Sequence, residues 1–136
     1  MEEFKQIAHK LGCTYIKDDF ARINLHADKV VKYPLICETL PTGGEIVTQH
    51  APAMSYTKDI ILCFLAPCRL DFSGREASDI IDKMVLLARK FIVMYCESHG
   101  ADMPARLRYN AVLDFLDVNL AGVRVTLTTT SEISCV

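Results

Sequence analysis

The chain predicts an α+β domain: a mixed or mostly antiparallel sheet with a short N-terminal helix, one long helix packed across it and a C-terminal strand pair. Three observations predict it. Residues 56–66 hold an unbroken apolar run over 60–66, residues 74–97 carry apolar side chains at helical spacing behind a capping sequence, and Val123, Val125 and Leu127 alternate with Arg124, Thr126 and Thr128. Alternation marks a strand with one solvated face, whereas a run that is apolar at both parities marks a strand covered on both.

The first helix is expected over residues 2–10, because Phe4, Ile7, Ala8 and Leu11 recur on one face and Gly12 supplies a stop. Glu2 and Glu3 at its start and Lys10 at its end suit the macrodipole. A helix this short is marginal alone, so its apolar face should rest on the sheet.

Residues 15–26 then turn to period two. Ala21, Ile23 and Leu25 can point inward while Arg22, Asn24 and His26 point outward, as in a half-solvated strand of an antiparallel sheet. Residues 30–39 are a second extended candidate with Tyr33, Leu35 and Cys37 on one face; Pro34 has no amide to donate, which favours an edge strand or a bulge. Such an edge would be open to pairing with another copy. A turn follows at Pro41-Thr42-Gly43-Gly44, and residues 45–49 can form a short strand leading past Pro52 into the apolar run. Ile60, Ile61, Leu62, Cys63, Phe64 and Leu65 predict a central strand: helices can shield one face, and a longer loop or another subunit must shield the other.

Ser73-Gly74-Arg75-Glu76 has capping-box spacing. The helix it opens places Ile80, Met84, Leu87, Ala88, Phe91 and Tyr95 on a core face. Leu86 and Val93 lie almost opposite, among Asp82, Arg89, Lys90 and Glu97, and are either scattered surface residues or half of a subunit interface. Ser98-His99-Gly100 offers an exit, and Pro104 blocks continuation. Residues 107–118 fit either periodicity, with a hairpin over residues 110–130 preferred because Asn119-Leu120-Ala121-Gly122 can connect two strands.

At 136 residues the chain is read as a single domain, 1–136. Fifteen basic against seventeen acidic side chains give a formal charge of -2, with no basic stripe to announce binding to phosphate backbones, so no direct nucleic-acid specificity is expected. The start of the chain has no basic head followed by an apolar segment, and no run reaches spanning length; no membrane role is expected, and a cytosolic origin is. An apolar fraction of 51% argues against a disordered adaptor.

The chemistry-bearing residues form no signature. Cys13, Cys37, Cys63, Cys68, Cys96 and Cys135 are spread through apolar segments and read as small buried hydrophobes. Cys63 and Cys68 lack zinc-knuckle spacing and, on an extended chain, point to opposite faces. His9, His26, His50 and His99 belong to no metal or catalytic motif, and Asp114, Asp117 and Asn119 lack the glycine and terminal glutamate of a calcium loop. Neither Thr42-Gly43-Gly44 nor Ser73-Gly74-Arg75 is a phosphate loop, and no serine sits in a nucleophile elbow. No catalytic, metal or cofactor-binding residue is assigned, and no cofactor is expected.

In order and pattern the chain resembles the small tail-completion, tail-terminator-like proteins of bacteriophages and prophages. The resemblance runs through EEFKQIAHKLG, FARINLH, LICETLP, YTKDIILCFLA, SGREASDIIDKMVLLARKFIVMYCES and DVNLAGVRVTLTTT. It implies a structural, non-enzymatic protein that self-associates, often as a hexameric ring. Such a ring caps the tail tube or joins it to the head, with tube or head-tail connector proteins as partners. By the same resemblance the loop over residues 42–55 would lie near neighbouring subunits or the lumen, and the protein would occur in the bacterial cytoplasm during assembly and then in the virion tail. The alternative is a small cytosolic enzyme or ligand-binding domain with a pocket near the long loop and the cysteines. That would need His50 or His99 brought to Cys63, Cys68 or paired acids.

Overall fold

The structure, a computed structural model, describes residues 2–18, 32–47, 53–68, 74–99, 106–115 and 120–134. Along them run helix α1 (Glu2–Lys10), strands β1 (Thr14–Lys17), β2 (Leu35–Glu38), β3 (Ile46–Val47) and β4 (Ala53–Pro67), helix α2 (Gly74–His99), and strands β5 (Tyr109–Phe115) and β6 (Leu120–Ser134), here numbered in chain order. The α+β architecture is as expected, with the short helix first, the long helix across a mixed sheet, and a C-terminal strand pair. The predicted bounds of α1 match, and Gly12 ends it at a φ of 74° with its amide donating to the His9 carbonyl at 3.0 Å.

The sheet order is β1-β2-β4-β6-β5, with β3 also on β4. Its spine is the antiparallel pair β4 and β6, matched from Ala53 against Ser134 to Pro67 against Leu120. The even positions Ile60, Leu62 and Phe64 meet Val123, Val125 and Leu127 beneath the two helices. Odd positions Cys63 and Leu65 face the other way, with Leu35, Cys37 and Leu120. All five of these are buried within a single chain, so the second face of the central strand is covered intramolecularly and needs no neighbouring subunit.

On the helix side, Phe91 of α2 stacks edge-on to Phe64 at 5.5 Å between ring centroids and meets Phe4 of α1 at 5.5 Å, while Phe4 meets Tyr95 at 4.9 Å. These rings weld both helices to the central strand. The buried face of α2 includes Met84, Ala88 and Phe91 as predicted, but it also takes in Ala77, Ile92 and Cys96, whereas Ile80, Leu87 and Tyr95 are half-buried at its margin.

Two expectations about the first strands are corrected. β1 pairs with β2 in parallel, Thr14 against Leu35 through Lys17 against Glu38, and not in an antiparallel manner. Residues 18–34 supply a connection long enough for a parallel return. The strand after Pro34 is also not at an edge: β2 lies between β1 and β4. Pro34 stands just before β2 and serves as an acceptor, its carbonyl taking the Thr14 amide at 3.1 Å. The inward trio Ala21, Ile23 and Leu25 lies outside the described residues, as do Ser73 of the expected capping box, His26 and His50.

The segment after Pro41 lies against β4. The Thr42 amide donates to the Asp59 carbonyl, the Asp59 amide to the Gly43 carbonyl and the Thr57 amide to the Glu45 carbonyl, at 2.8 to 2.9 Å, before β3 pairs with β4. Residues 42–47 thereby extend the line of β2 along the spine. The expected C-terminal hairpin is present as β5 and β6, antiparallel, with a register shift between Val112 and Phe115.

Candidate functional site

Of the chemistry-bearing side chains that the structure describes, the thiols are buried in the packing while His9, Arg75 and Glu76 are exposed. Cys13, Cys37, Cys63, Cys68 and Cys96 are buried free thiols, and Cys135 lies outside the described residues. Cys63 and Cys68 do separate to opposite faces: Cys63 joins the Leu35 and Leu65 cluster, Cys68 the Ala77 and Ala121 cluster near the start of α2. What sequence spacing does not reveal is that Cys37 and Cys63 are direct register partners on adjacent strands.

Burial, followed by the neighbouring Cys63, drives the Cys37 thiol far above its ordinary range. Burial also pushes the Cys63 thiol up to about 12, against the opposing pull of Arg124. Neither thiol is poised as a nucleophile, since reactive cysteines have depressed values at exposed, electropositive sites. The pair does predict alkaline behaviour. The unfolded chain releases these protons near the ordinary thiol value of about 8.5, while the folded chain retains them. The stabilisation is therefore complete below that value and is lost as pH rises from it toward about 12. The slope is at most about 1.4 kcal/mol per pH unit for each thiol. Urea unfolding across the alkaline range should show a falling midpoint in the native chain and a flatter profile in the Cys37→Ala/Cys63→Ala variant; parallel profiles would refute the coupling.

A second cluster was also missed by sequence reasoning. Glu38 is only 1% exposed, yet it is an acid. Its Oε1 accepts the Tyr15 hydroxyl, and its Oε2 lies 3.4 Å from Lys17 Nζ. Tyr15 and Lys17 stand on β1 opposite Ile36 and Glu38, so the network ties the short outer strand to β2. Next to it, the Thr39 hydroxyl both donates to the Ile61 carbonyl at 3.4 Å and accepts the Ile61 amide at 3.2 Å, replacing a ladder bond where β2 ends. These contacts satisfy buried polar atoms and position strands.

The remaining motif candidates fall out as follows. His9 is exposed at the end of α1, and His99 ends α2. Asp114 lies in β5, Gly122 sits in the β6 ladder opposite Leu65, and Asp117 and Asn119 lie outside the described residues. The Thr42 amide and hydroxyl both turn to the Asp59 carbonyl, which leaves that turn engaged with β4. Arg75 and Glu76 are exposed at the start of α2. Among the described residues no group of three or more His, Cys, Asp or Glu side chains is arranged to hold a metal ion, and no helix is long and apolar enough to cross a membrane.

The surface carries the clearest unassigned feature. Leu107, just before β5, and Tyr109 and Leu113 on it are 37%, 48% and 54% exposed at even spacing, and β5 pairs only with β6 among the described residues. Leu86 is also exposed on α2, but Val93 is half-buried, so these two form no continuous strip. No protein-family model matches the chain, and no curated protein matches it.

Proposed function

We propose that this chain is a structural subunit of a phage or prophage tail. In this reading copies associate to form or cap a ring at the tail tube or the head-tail junction, where tube or connector proteins would be its partners. The observation that carries the self-assembling part is the run of exposed apolar side chains, Leu107 just before β5 and Tyr109 and Leu113 on it, beside a strand that among the described residues pairs only with β6. A long apolar edge is a site for association and a liability if left bare. The tail assignment itself rests on the sequence resemblance, with which the order of helix, strands, long helix and terminal strand pair agrees.

Sedimentation velocity over a wide concentration range, joined to negative-stain imaging, tests the proposal. Rings or other closed multiples of the chain are expected. A strict monomer at the highest attainable concentration would overturn it.

A further inference from the structure

We infer that β5 is a self-pairing edge, through which two copies of this chain associate about a twofold axis passing beside Asn110. The inference rests on the self-assembly reading above and specifies the surface and the register.

The backbone directions follow from the ladder. Thr57 and Asp59 donate their amides toward Glu45 and Gly43, and Ile61 accepts from Thr39, so the odd positions of β4 turn their backbone groups toward β2 and β3. Antiparallel pairs alternate in direction. Even positions of β4 therefore bond Val123 and Val125 of β6, and Gly122 and Arg124 of β6 bond Val112 and Asn110 of β5. Tyr109 and Ala111 are left with their N–H and C=O groups directed away from the sheet.

The same residues present apolar side chains. Tyr109 and Ala111 pair with Val125 and Val123 and so share the helix-side face, yet both are exposed. Leu107 and Leu113 fall at the same spacing.

This stripe is complementary to itself. Setting Asn110 opposite Asn110 of a second copy places Tyr109 opposite Ala111 and Leu107 opposite Leu113, each contact occurring twice. The pairing of apolar with apolar positions thus selects a second copy of this chain. The register shift after Val112 limits the regular ladder to a short stretch, so the pairing should be reversible and concentration-dependent. A twofold contact closes at two copies; a larger ring would need a second, head-to-tail surface, and the two together would give an even number of subunits.

Cysteine cross-linking of the full chain tests the register. Asn110→Cys places two thiols at a non-hydrogen-bonded pair, where side chains approach closely. Mild copper-phenanthroline oxidation should convert this variant to a reducible dimer on a non-reducing gel, well above the background set by the native chain with its own cysteines. Independently, Ala111→Pro removes one outward amide at a position an edge strand tolerates. It should halve the sedimenting mass at concentrations where the native chain associates, with the far-UV spectrum and melting temperature unchanged. A native chain that assembles, but shows neither cross-linking nor a mass change in these variants, would overturn the β5 pairing and leave the self-assembly reading standing. A native chain that stays monomeric would overturn both.

Discussion

Phe91→Ala is expected to destabilise the fold by about 3–5 kcal/mol, the range for truncating a fully buried aromatic. Phe91 is completely buried and touches the rings of Phe64 and Phe4, so one side chain joins the long helix, the central strand and the first helix. Its removal loses the transfer energy of a phenyl ring, leaves a cavity, and abolishes two tilted or edge-on ring contacts worth roughly 0.5–1.5 kcal/mol each. Domains of this size have total stabilities of about 5–15 kcal/mol, so the variant should sit close to its unfolding threshold at room temperature. Urea denaturation measures the loss directly. Hydrogen exchange adds a local signature: α1 has nine residues and depends on Phe4 for its anchor, so amides in Glu2–Lys10 should lose protection further than those of β4. A midpoint shift equivalent to less than about 1 kcal/mol, the size of an average substitution, would show that Phe91 is not the joint between these elements.

Gly122→Ala should be comparably severe for a different reason. A Cβ at Gly122 would lie 1.9 Å from the Phe64 carbonyl oxygen and 2.9 Å from its carbon, both backbone atoms of the neighbouring spine strand. A flexible side chain can swing away from such an intrusion, but a ladder carbonyl cannot move without pulling β4 and β6 apart. Overpacking a core typically costs about 1–3 kcal/mol; a clash with backbone at the middle of the sheet should reach or exceed the top of that range. Thermal unfolding gives the comparison, with Ala121→Gly as a neighbouring control that removes a methyl and introduces no clash. Equal melting temperatures for Gly122→Ala and the native chain would show that the strands can part there without cost.

The same glycine marks where the sequence pattern becomes hard to interpret. β6 was legible because Val123, Val125 and Leu127 alternate cleanly against polar neighbours, and the buried and exposed classes follow that alternation. β5 was ambiguous between helix and strand, and the register explains why. Val112 pairs with Gly122 and Phe115 with Leu120, so an extra residue lies between two positions of the same parity on β6. Apolar residues three apart resemble a helix when a bulge has interrupted period two. The two helices were read almost to their ends, since their periodicity and stop signals are local properties of the chain.

Strand partners are not local properties. The parallel placement of β1, the interior position of β2 and the meeting of Cys37 with Cys63 depend on register between segments far apart in sequence. Glu38 illustrates the same limit at a single side chain: an acid after an apolar triplet reads as a solvated strand end, and only pairing with β1 supplies the tyrosine and lysine that let it be buried. The candidate edge was hidden for both reasons, because it combines an interrupted period with a place in the sheet order that no short motif announces.

The spine also sets a schedule for folding. Ala53 awaits Ser134 and Pro67 awaits Leu120, so during synthesis the most apolar strand of the protein emerges long before its ladder partner exists. Bringing such distant segments together carries a loop-closure entropy that local helices avoid, which makes the β4–β6 pairing a slow step. Until then the stretch IILCFL lacks its β6 partner and has β2 on its other side and the helices to shelter it from other chains. A cell making many copies at once would find its aggregation hazard in this waiting period, and crowded translation would favour those chains whose long helix docks first.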